Sequence, residues 1–200
     1  MKKDEMARAA LIVVDVQRDF CDGGALAAAD TASLLAPLKE CIEAARKAGA
    51  VIVYTRDWHP ENHSSFEPNG GPWPVHCVAG TEGAELMPPL RALADDLMIH
   101  KGLGVDGAGY SGFERTGLDE HLKKLGVGRI AVSGIATEYC VRATALDGLK
   151  AGFETVLLTD MIRPVQPSLT PGVVEELAGA GARGISAGEW LKEIWKQRAG

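Results

Sequence analysis

The chain has 200 residues, of which 46% are hydrophobic and 24% are charged. These fractions are typical of soluble globular proteins and exclude collagen-like, coiled-coil and disordered chains, and the length predicts one domain over residues 1–200 with a sizeable core. The formal net charge is −6 and no basic block stands out, so the composition does not support a nucleic-acid partner.

Patterns typical of strands and helices alternate along the chain. Apolar runs rich in β-branched residues predict strands at 9–14, 51–55, 97–100, 129–133, 155–159 and 183–185. Helical spacing of apolar residues predicts helices at 33–48, 84–93, 118–124, 138–151, 169–180 and 187–198. The segment 57–81 is rich in proline and glycine, which predicts a long irregular and functional loop. The alternation predicts a three-layer α/β/α fold with a central, doubly wound parallel sheet of about six strands.

The chain shows no sign of export or of membrane insertion. No apolar run approaches the roughly 18 residues that a membrane span requires. Charges at Asp4, Glu5 and Arg8 interrupt what would be the apolar stretch of a secretory signal. The four cysteines are widely spaced and form no Cys-x-x-Cys pair, which is typical of reduced thiols. We therefore expect a cytoplasmic protein with no membrane partner.

Chemically useful side chains follow the predicted strands directly. Asp15, Asp57 and Lys101 each come at a strand end, and Cys140 follows a fourth strand in the first turn of a helix. Ligands of such sheets collect at the carboxyl ends of the strands. Free backbone N–H groups and the helix dipole at Cys140 favour a thiolate and could also hold an oxyanion. Cys140 is thus a candidate nucleophile with Asp15 as base and Lys101 as charge partner, although a buried structural cysteine and an acid paired at the strand edge are the alternatives.

A second group of residues has the composition of a metal site. Asp57 and His59 stand two apart at a strand end, and His76 can return to them from the proline-rich loop. Two imidazoles, one carboxylate and open positions suit a divalent transition metal that keeps exchangeable waters. His63 is either a further ligand or a residue outside the coordination shell.

Five motifs, in this order along the chain, resemble those of the isochorismatase-like cysteine hydrolases and, among these, the nicotinamidases (pyrazinamidases). They are Val-Asp-Val-Gln-Arg-Asp-Phe at 14–20, Asp-Trp-His-Pro-Glu-Asn-His at 57–63, Trp-Pro-Val-His-Cys at 73–77, His-Lys-Gly at 100–102 and Gly-Ile-Ala-Thr-Glu-Tyr-Cys-Val at 134–141. The whole superfamily shares the Asp, Lys and Cys motifs. Only the metal motif points to nicotinamidases, because other enzymes of this fold generally lack it.

The resemblance implies a role for each site residue. The implied triad is Asp15, Lys101 and Cys140, and the implied ligands of one divalent metal (Zn, Fe or Mn) are Asp57, His59 and His76. The implied substrate-binding residues are Phe20, Trp73, Tyr110 and Ile135. A cis peptide bond between Ile135 and Ala136 would turn the Ala136 N–H into an oxyanion hole beside that of Cys140. Some members use a fourth protein ligand, for which His63, Ser65 and Glu67 are the candidates here.

The implied activity is hydrolysis of nicotinamide to nicotinate and ammonia through a cysteine thioester, with the metal anchoring the pyridine ring. The resemblance also implies activity on pyrazinamide, a role in NAD salvage, and a homo-oligomer as one option. Three alternatives stay open: a related hydrolase of another small amide or ureido compound, a non-catalytic metal- or ligand-binding protein, and a vinyl-ether hydrolase. The intact Asp15, Lys101 and Cys140 set argues against the second, and the metal motif argues against the third.

Overall fold

The computed structural model describes residues 8–107 and 109–199 as alternating strands and helices. The strands are β1 (Arg8–Val14), β2 (Val51–Asp57), β3 (Leu97–Lys101), β4 (Val127–Ile135), β5 (Glu154–Arg163) and β6 (Arg183–Ile185). The α-helices are α1 (Ala32–Lys47), α2 (Leu118–Lys124), α3 (Arg142–Lys150), α4 (Thr170–Gly179) and α5 (Ala187–Ala199). Within these described ranges, no helix has the length and apolar composition needed to cross a membrane.

The six strands form one parallel sheet in the order β3-β2-β1-β4-β5-β6. The chain moves outward from β1 to β3, returns to β4 on the other side of β1, and then moves outward to β6. The sheet is therefore doubly wound, and its direction reverses between β1 and β4, where such sheets form their binding crevice. The predicted fold class is confirmed.

Helices cover both faces of the sheet and explain why β1 is buried along nearly its whole length. Leu11 and Val13 pack in one apolar cluster with side chains of α1 and α5. Ile12 and Val14 pack in a second cluster with side chains of α2, α3 and α4. Because successive side chains of a strand point to opposite faces, a strand covered on both sides must be a continuous apolar run.

Two predicted helices differ from the structure. Residues 84–93 form no α-helix: a 3₁₀ turn ends at Ala84, and the chain then continues irregularly through Pro88 and Pro89. Two consecutive prolines remove two backbone donors and clash with the preceding turn, so this prediction was wrong. The predicted helix at 138–151 begins with a π turn, Thr137–Val141, and continues as α3.

Candidate active site

The predicted catalytic residues meet at the carboxyl edge of the sheet, beside the crevice between β1 and β4. Asp15 directly follows β1, Asp57 ends β2, Lys101 ends β3, and Cys140 lies in the π turn after β4. All four are buried, with at most 6% of each residue exposed. The structure therefore brings together side chains that are up to 125 positions apart in sequence, counted from Asp15 to Cys140.

Lys101 is the centre of this cluster. Its Nζ lies 2.8 Å from Asp15 Oδ2 and 2.5 Å from Asp57 Oδ1. The same ammonium donates to the Gly109 carbonyl oxygen at 2.9 Å and to Cys140 Sγ at 3.4 Å. Sequence analysis assigned Asp57 only to the metal site, and the contact with Lys101 shows that the candidate triad and the candidate metal site share one ion pair.

The Asp15 carboxylate is held from both sides. Thr55 Oγ1 donates a 2.6 Å hydrogen bond to Oδ1, while Oδ2 faces the Lys101 ammonium. Apart from that ion pair, Oδ2 has no partner in the described part of the chain, which leaves a lone pair for a proton from the neighbouring thiol. Asp15 has a φ of 49°, a left-handed conformation that aspartate tolerates better than most residues.

Burial and charge set the protonation states of the cluster. Burial raises the pKa of the Asp15 carboxyl, and the Lys101 charge opposes that rise. Burial also raises the pKa of the Cys140 thiol well above its usual range, against the influence of Lys101. Burial alone would lower the pKa of Lys101, but the two carboxylates raise it well above its usual range. The free site thus holds a neutral thiol and an ammonium, and the thiol needs a base before it can attack.

The three predicted metal ligands also converge. Asp57, His59 and His76 each place one ligand atom within 4.8 Å of the others. His59 Nδ1 lies 3.0 Å from the Gly102 carbonyl oxygen, and His76 Nδ1 lies 2.7 Å from that of Pro74. A carbonyl oxygen can only accept, so both Nδ1 atoms carry the proton and both Nε2 atoms present a lone pair.

The donor set fits a divalent metal. Although burial opposes it, the charge of Lys101 holds the pKa of Asp57 well below its usual range, so this carboxylate stays ionised. Its Oδ1 contacts Lys101, while its Oδ2 lies 3.5 Å from His59 Nε2. One carboxylate and two imidazoles fixed by backbone carbonyls make up the coordination sphere of many catalytic zinc and iron sites.

Of the three candidates for a fourth ligand, His63 has a buried ring nitrogen without a partner, although it lies outside the group of Asp57, His59 and His76 whose ligand atoms are within 4.8 Å of one another. Its ring is fully buried with its centroid 4.1 Å from that of His59, and its Nε2 has no hydrogen-bond partner in the described ranges. Ser65 Oγ lies 2.6 Å from His63 Nδ1, and Glu67 is exposed. A buried ring nitrogen without a partner is costly unless something else, such as a metal ion, binds it.

An aromatic and apolar cavity of about 500 Å³, its open mouth included, lies over both groups of residues. All predicted substrate-binding residues line it: Phe20, Trp73, Tyr110 and Ile135. Cys140, His59 and His76 line the same cavity. A ligand in this cavity can therefore contact the nucleophile and the metal ligands at once.

Three apolar wall residues were missed by sequence analysis, namely Leu26, Tyr139 and Val165. The Tyr139 ring packs edge-on against Trp73 with 5.1 Å between ring centroids, and Trp73 Nε1 donates to Tyr110 Oη at 3.2 Å. Tyr139 directly precedes Cys140, so its position next to the nucleophile was an available signal. Leu26 and Val165 lie in irregular segments and carry no such signal.

The implied cis peptide bond between Ile135 and Ala136 is present. Ala136 and Cys140 both border the cavity. Their backbone N–H groups are therefore candidates for an oxyanion hole next to the thiol.

The comparisons with known proteins agree with this geometry. The family model described as the isochorismatase domain matches residues 9–188. The chain belongs to the isochorismatase family. Among the family's members, the nicotinamidase of Escherichia coli is 36% identical, with 90% of this chain and 96% of the relative covered. The nicotinamidase/pyrazinamidase of Mycobacterium tuberculosis is 40% identical, with 86% and 95% covered.

A solved structure of the family extends the likeness to three dimensions. The pyrazinamidase of Pyrococcus horikoshii in complex with zinc matches with a TM-score of 0.87 and 46% identity, with 90% of this chain and 99% of that chain covered. The family resemblance found in the sequence motifs is thereby confirmed.

Proposed function

We propose that the chain is a nicotinamidase that hydrolyses nicotinamide to nicotinate and ammonia at Cys140, and that it also accepts pyrazinamide. The observation that carries this proposal is the position of Lys101 Nζ, within 3.4 Å of Cys140 Sγ and in contact with both Asp15 and Asp57. One ammonium thus connects a nucleophile, a base and a metal ligand below an aromatic cavity. The nicotinamidase relatives support the choice of substrate.

A pyridine carboxamide suits this cavity because its two ends differ chemically. Phe20, Trp73 and Tyr110 offer aromatic walls to a flat ring. A divalent metal bound by Asp57, His59 and His76, with His63 as an additional ligand, would supply a Lewis-acidic position for a ring nitrogen. Zn, Fe and Mn all accept such donors. The protein's own contribution is to hold the ring so that the carboxamide carbon lies against Sγ.

Acylation begins when Asp15 Oδ2 accepts the Cys140 thiol proton. The thiolate then attacks the carboxamide carbon, forming a C–S bond, and the carbonyl oxygen becomes an oxyanion facing the Ala136 and Cys140 N–H groups. As the C–N bond breaks, Asp15 returns the proton to the departing nitrogen, and ammonia leaves. Lys101 keeps its proton throughout and offsets the negative charge.

Deacylation repeats these steps with water. Asp15 accepts a proton from a water molecule, whose oxygen attacks the thioester carbon. The second tetrahedral intermediate collapses with loss of the Cys140 thiolate, which takes the proton back from Asp15. The product acid loses its remaining proton to solvent and is released as nicotinate, and the cluster returns to its resting charges.

A substrate panel tests the proposed reaction. Purified, metal-loaded protein is incubated with nicotinamide, pyrazinamide and a ureido acid of similar size, and ammonia and the carboxylic acid product are quantified. We expect equal amounts of ammonia and nicotinate from nicotinamide, and turnover of pyrazinamide. Preferential turnover of the ureido acid would instead support a related cysteine hydrolase of a different substrate class.

The cellular setting is part of the proposal. Cys21, Cys41, Cys77 and Cys140 are all free thiols, which supports a reducing compartment such as the cytoplasm. Nicotinate as product would supply NAD salvage. The mass of the protein in solution would test the proposed option of a homo-oligomer.

A further inference from the structure

Asp19 connects the segment that follows the catalytic base to the loop that carries His76. Asp19 Oδ2 accepts a 2.7 Å hydrogen bond from the backbone N–H of Cys77, 58 residues along the chain. Asp19 itself is not among the residues that line the substrate cavity. It therefore contacts the backbone next to a candidate ligand rather than the ligand.

The residue that Asp19 holds has an unusual backbone conformation. Cys77 has a φ of 45°, in the left-handed region that residues with a Cβ rarely adopt. Its side chain is fully buried, so the conformation depends on the surrounding contacts. The direction in which the chain passes from His76 into Cys77 is set by this conformation, and the Asp19 hydrogen bond stabilises it.

The Cys77 backbone also bonds to the backbone of His59, the other candidate histidine ligand. Its carbonyl oxygen accepts the His59 N–H at 3.0 Å, and the His59 carbonyl oxygen accepts the Ala79 N–H at 2.8 Å. Cys77 is thus the backbone link between the two histidines, each of which places a ring nitrogen within 4.8 Å of the other's. A shift of Cys77 would move both.

We propose that Asp19 is a positioning residue for the metal centre, acting through the Cys77 N–H to set the separation of His59 and His76. This inference rests on the proposed function, since it concerns the same metal site. Residues that orient metal ligands commonly change metal affinity without touching the metal.

Gly83 provides an independent way to displace Asp19. A Cβ built at Gly83 would lie 2.2 Å from Asp19 Oδ2 and 2.4 Å from its Cγ, and the three nearest atoms all belong to the Asp19 side chain. An alanine at this position must push the carboxylate away, and the end of an aspartate side chain can move at little cost to the fold. Gly83→Ala therefore breaks the hydrogen bond to Cys77 while the carboxylate remains in the protein.

The test is the zinc affinity of the metal-free protein, measured by competition with a chromophoric chelator. We expect Asp19→Ala and Gly83→Ala each to weaken zinc binding by about 10- to 100-fold. Asp19→Asn keeps an acceptor oxygen and should restore most of the affinity. Gly188→Ala is the matched control, because an added Cβ there has no heavy atom within 4 Å, and it should bind zinc like the wild type. The visible spectrum of the cobalt-substituted protein should shift in the two weakened variants only.

Two results would overturn the inference. Wild-type zinc affinity in both Asp19→Ala and Gly83→Ala would do so, even if their unfolding temperatures fall, because that pattern describes a purely structural role. The inference is also overturned if Asp19→Asn does not recover zinc affinity while Gly83→Ala binds zinc like the wild type. These results leave the proposed function intact, whereas failure of the wild type to bind any divalent metal would remove the metal site itself.

Discussion

The Cys140 thiol is acylated only if a neighbouring group removes its proton. Burial raises the pKa of the thiol, and the carboxylates of Asp15 and Asp57 add to that rise, while the ammonium of Lys101 counteracts it. The site is thus arranged for proton transfer at the moment of attack rather than for a resting thiolate. Asp15 is the proposed acceptor: Thr55 binds one of its oxygens, the other lies 2.8 Å from Lys101 Nζ, and a carboxylate oxygen lies within 4.8 Å of Cys140 Sγ.

Replacement of the nucleophile should separate chemistry from binding. We expect Cys140→Ala to lower kcat for ammonia release by more than about 10³-fold, since no other group in the cavity can form the thioester. Metal content should stay at the wild-type level because Cys140 is not among the proposed ligands. The control Cys41→Ala alters a core thiol on α1 and should keep kcat. Ammonia release by Cys140→Ala at the wild-type rate would refute its role.

The pH profile of kcat/KM reports on the base. Asp15 must be ionised to accept the thiol proton, and its pKa is raised, so activity should fall with decreasing pH at values above the ordinary 3.8 of an aspartate. Thr55→Val removes a hydrogen bond donated to the carboxylate. The charged form is then less stable and the pKa higher, so the acidic limb should move to higher pH.

A matched buried threonine gives the control for that profile. Thr155 donates its hydroxyl to a backbone carbonyl of Phe153, on the far side of β4 from Asp15. Thr155→Val should leave the acidic limb in place. If the acidic limb of the kcat/KM profile stays in place or moves to lower pH in Thr55→Val, that limb does not measure the ionisation of Asp15.

At the scale of the elements, the close approach of β1 and β4 brings base and nucleophile together. Gly134 pairs with Val14 in the parallel register and has a φ of 110°. A Cβ at Gly134 would lie 2.1 Å from the Val14 carbonyl oxygen, which is backbone and cannot move away alone. Only glycine permits this contact. The contact lies close to the site, because Val14 directly precedes Asp15 and Gly134 lies two residues before Ala136.

Gly134→Ala should therefore damage both stability and activity. We expect the free energy of unfolding to fall by at least about 2 kcal/mol, because the alanine both pushes β1 and β4 apart and must adopt an unfavourable φ. We also expect kcat/KM of the remaining folded protein to drop, measured at a temperature where unfolding is negligible. Gly172→Ala in α4, where an added Cβ meets nothing within 4 Å, should leave both unchanged or be slightly stabilising. Equal behaviour of the two variants would contradict the role of the β1–β4 contact.

Strands were predictable from the sequence where burial is complete on both faces. The predicted strand at 9–14 differs from β1 by one residue, because the apolar run and the buried segment coincide. The predicted strand at 155–159 is shorter than β5, since Thr159 and Asp160 are exposed and interrupt the apolar pattern although the ladder continues beyond them. The local hydrophobic pattern therefore does not predict the end of a strand whose residues alternate between buried and exposed stretches.

The candidate site was predictable to the extent that its residues stand at strand ends or belong to motifs. Asp15, Asp57 and Lys101 meet both conditions, whereas His76 belongs to a motif but lies in the loop between β2 and β3. The contact between Lys101 and Asp57 was not predictable, because it depends on the pairing of β3 with β2 at that register. Leu26 and Val165 reach the cavity from irregular segments, and only the packed structure brings them there.

For the whole molecule, the topology explains why nucleophile and metal ligands can act on one small ligand. The direction of the sheet reverses between β1 and β4, so β2 and β3 bring Asp57 and Lys101 from one side and the π turn brings Cys140 from the other. The apolar layers behind them keep water from the ammonium and its two carboxylates. Charges in this crevice are therefore screened less than charges at the surface.

Ammonia release from nicotinamide before and after chelation, with metal content determined on the same sample, tests whether a Cys140 nucleophile and a metal held by Asp57, His59 and His76 serve one reaction. We expect about one divalent metal ion per chain, a steep rise in KM on its removal, and recovery when Zn, Fe or Mn is returned. Hydrolysis that proceeds with unchanged KM in metal-free protein would contradict the account.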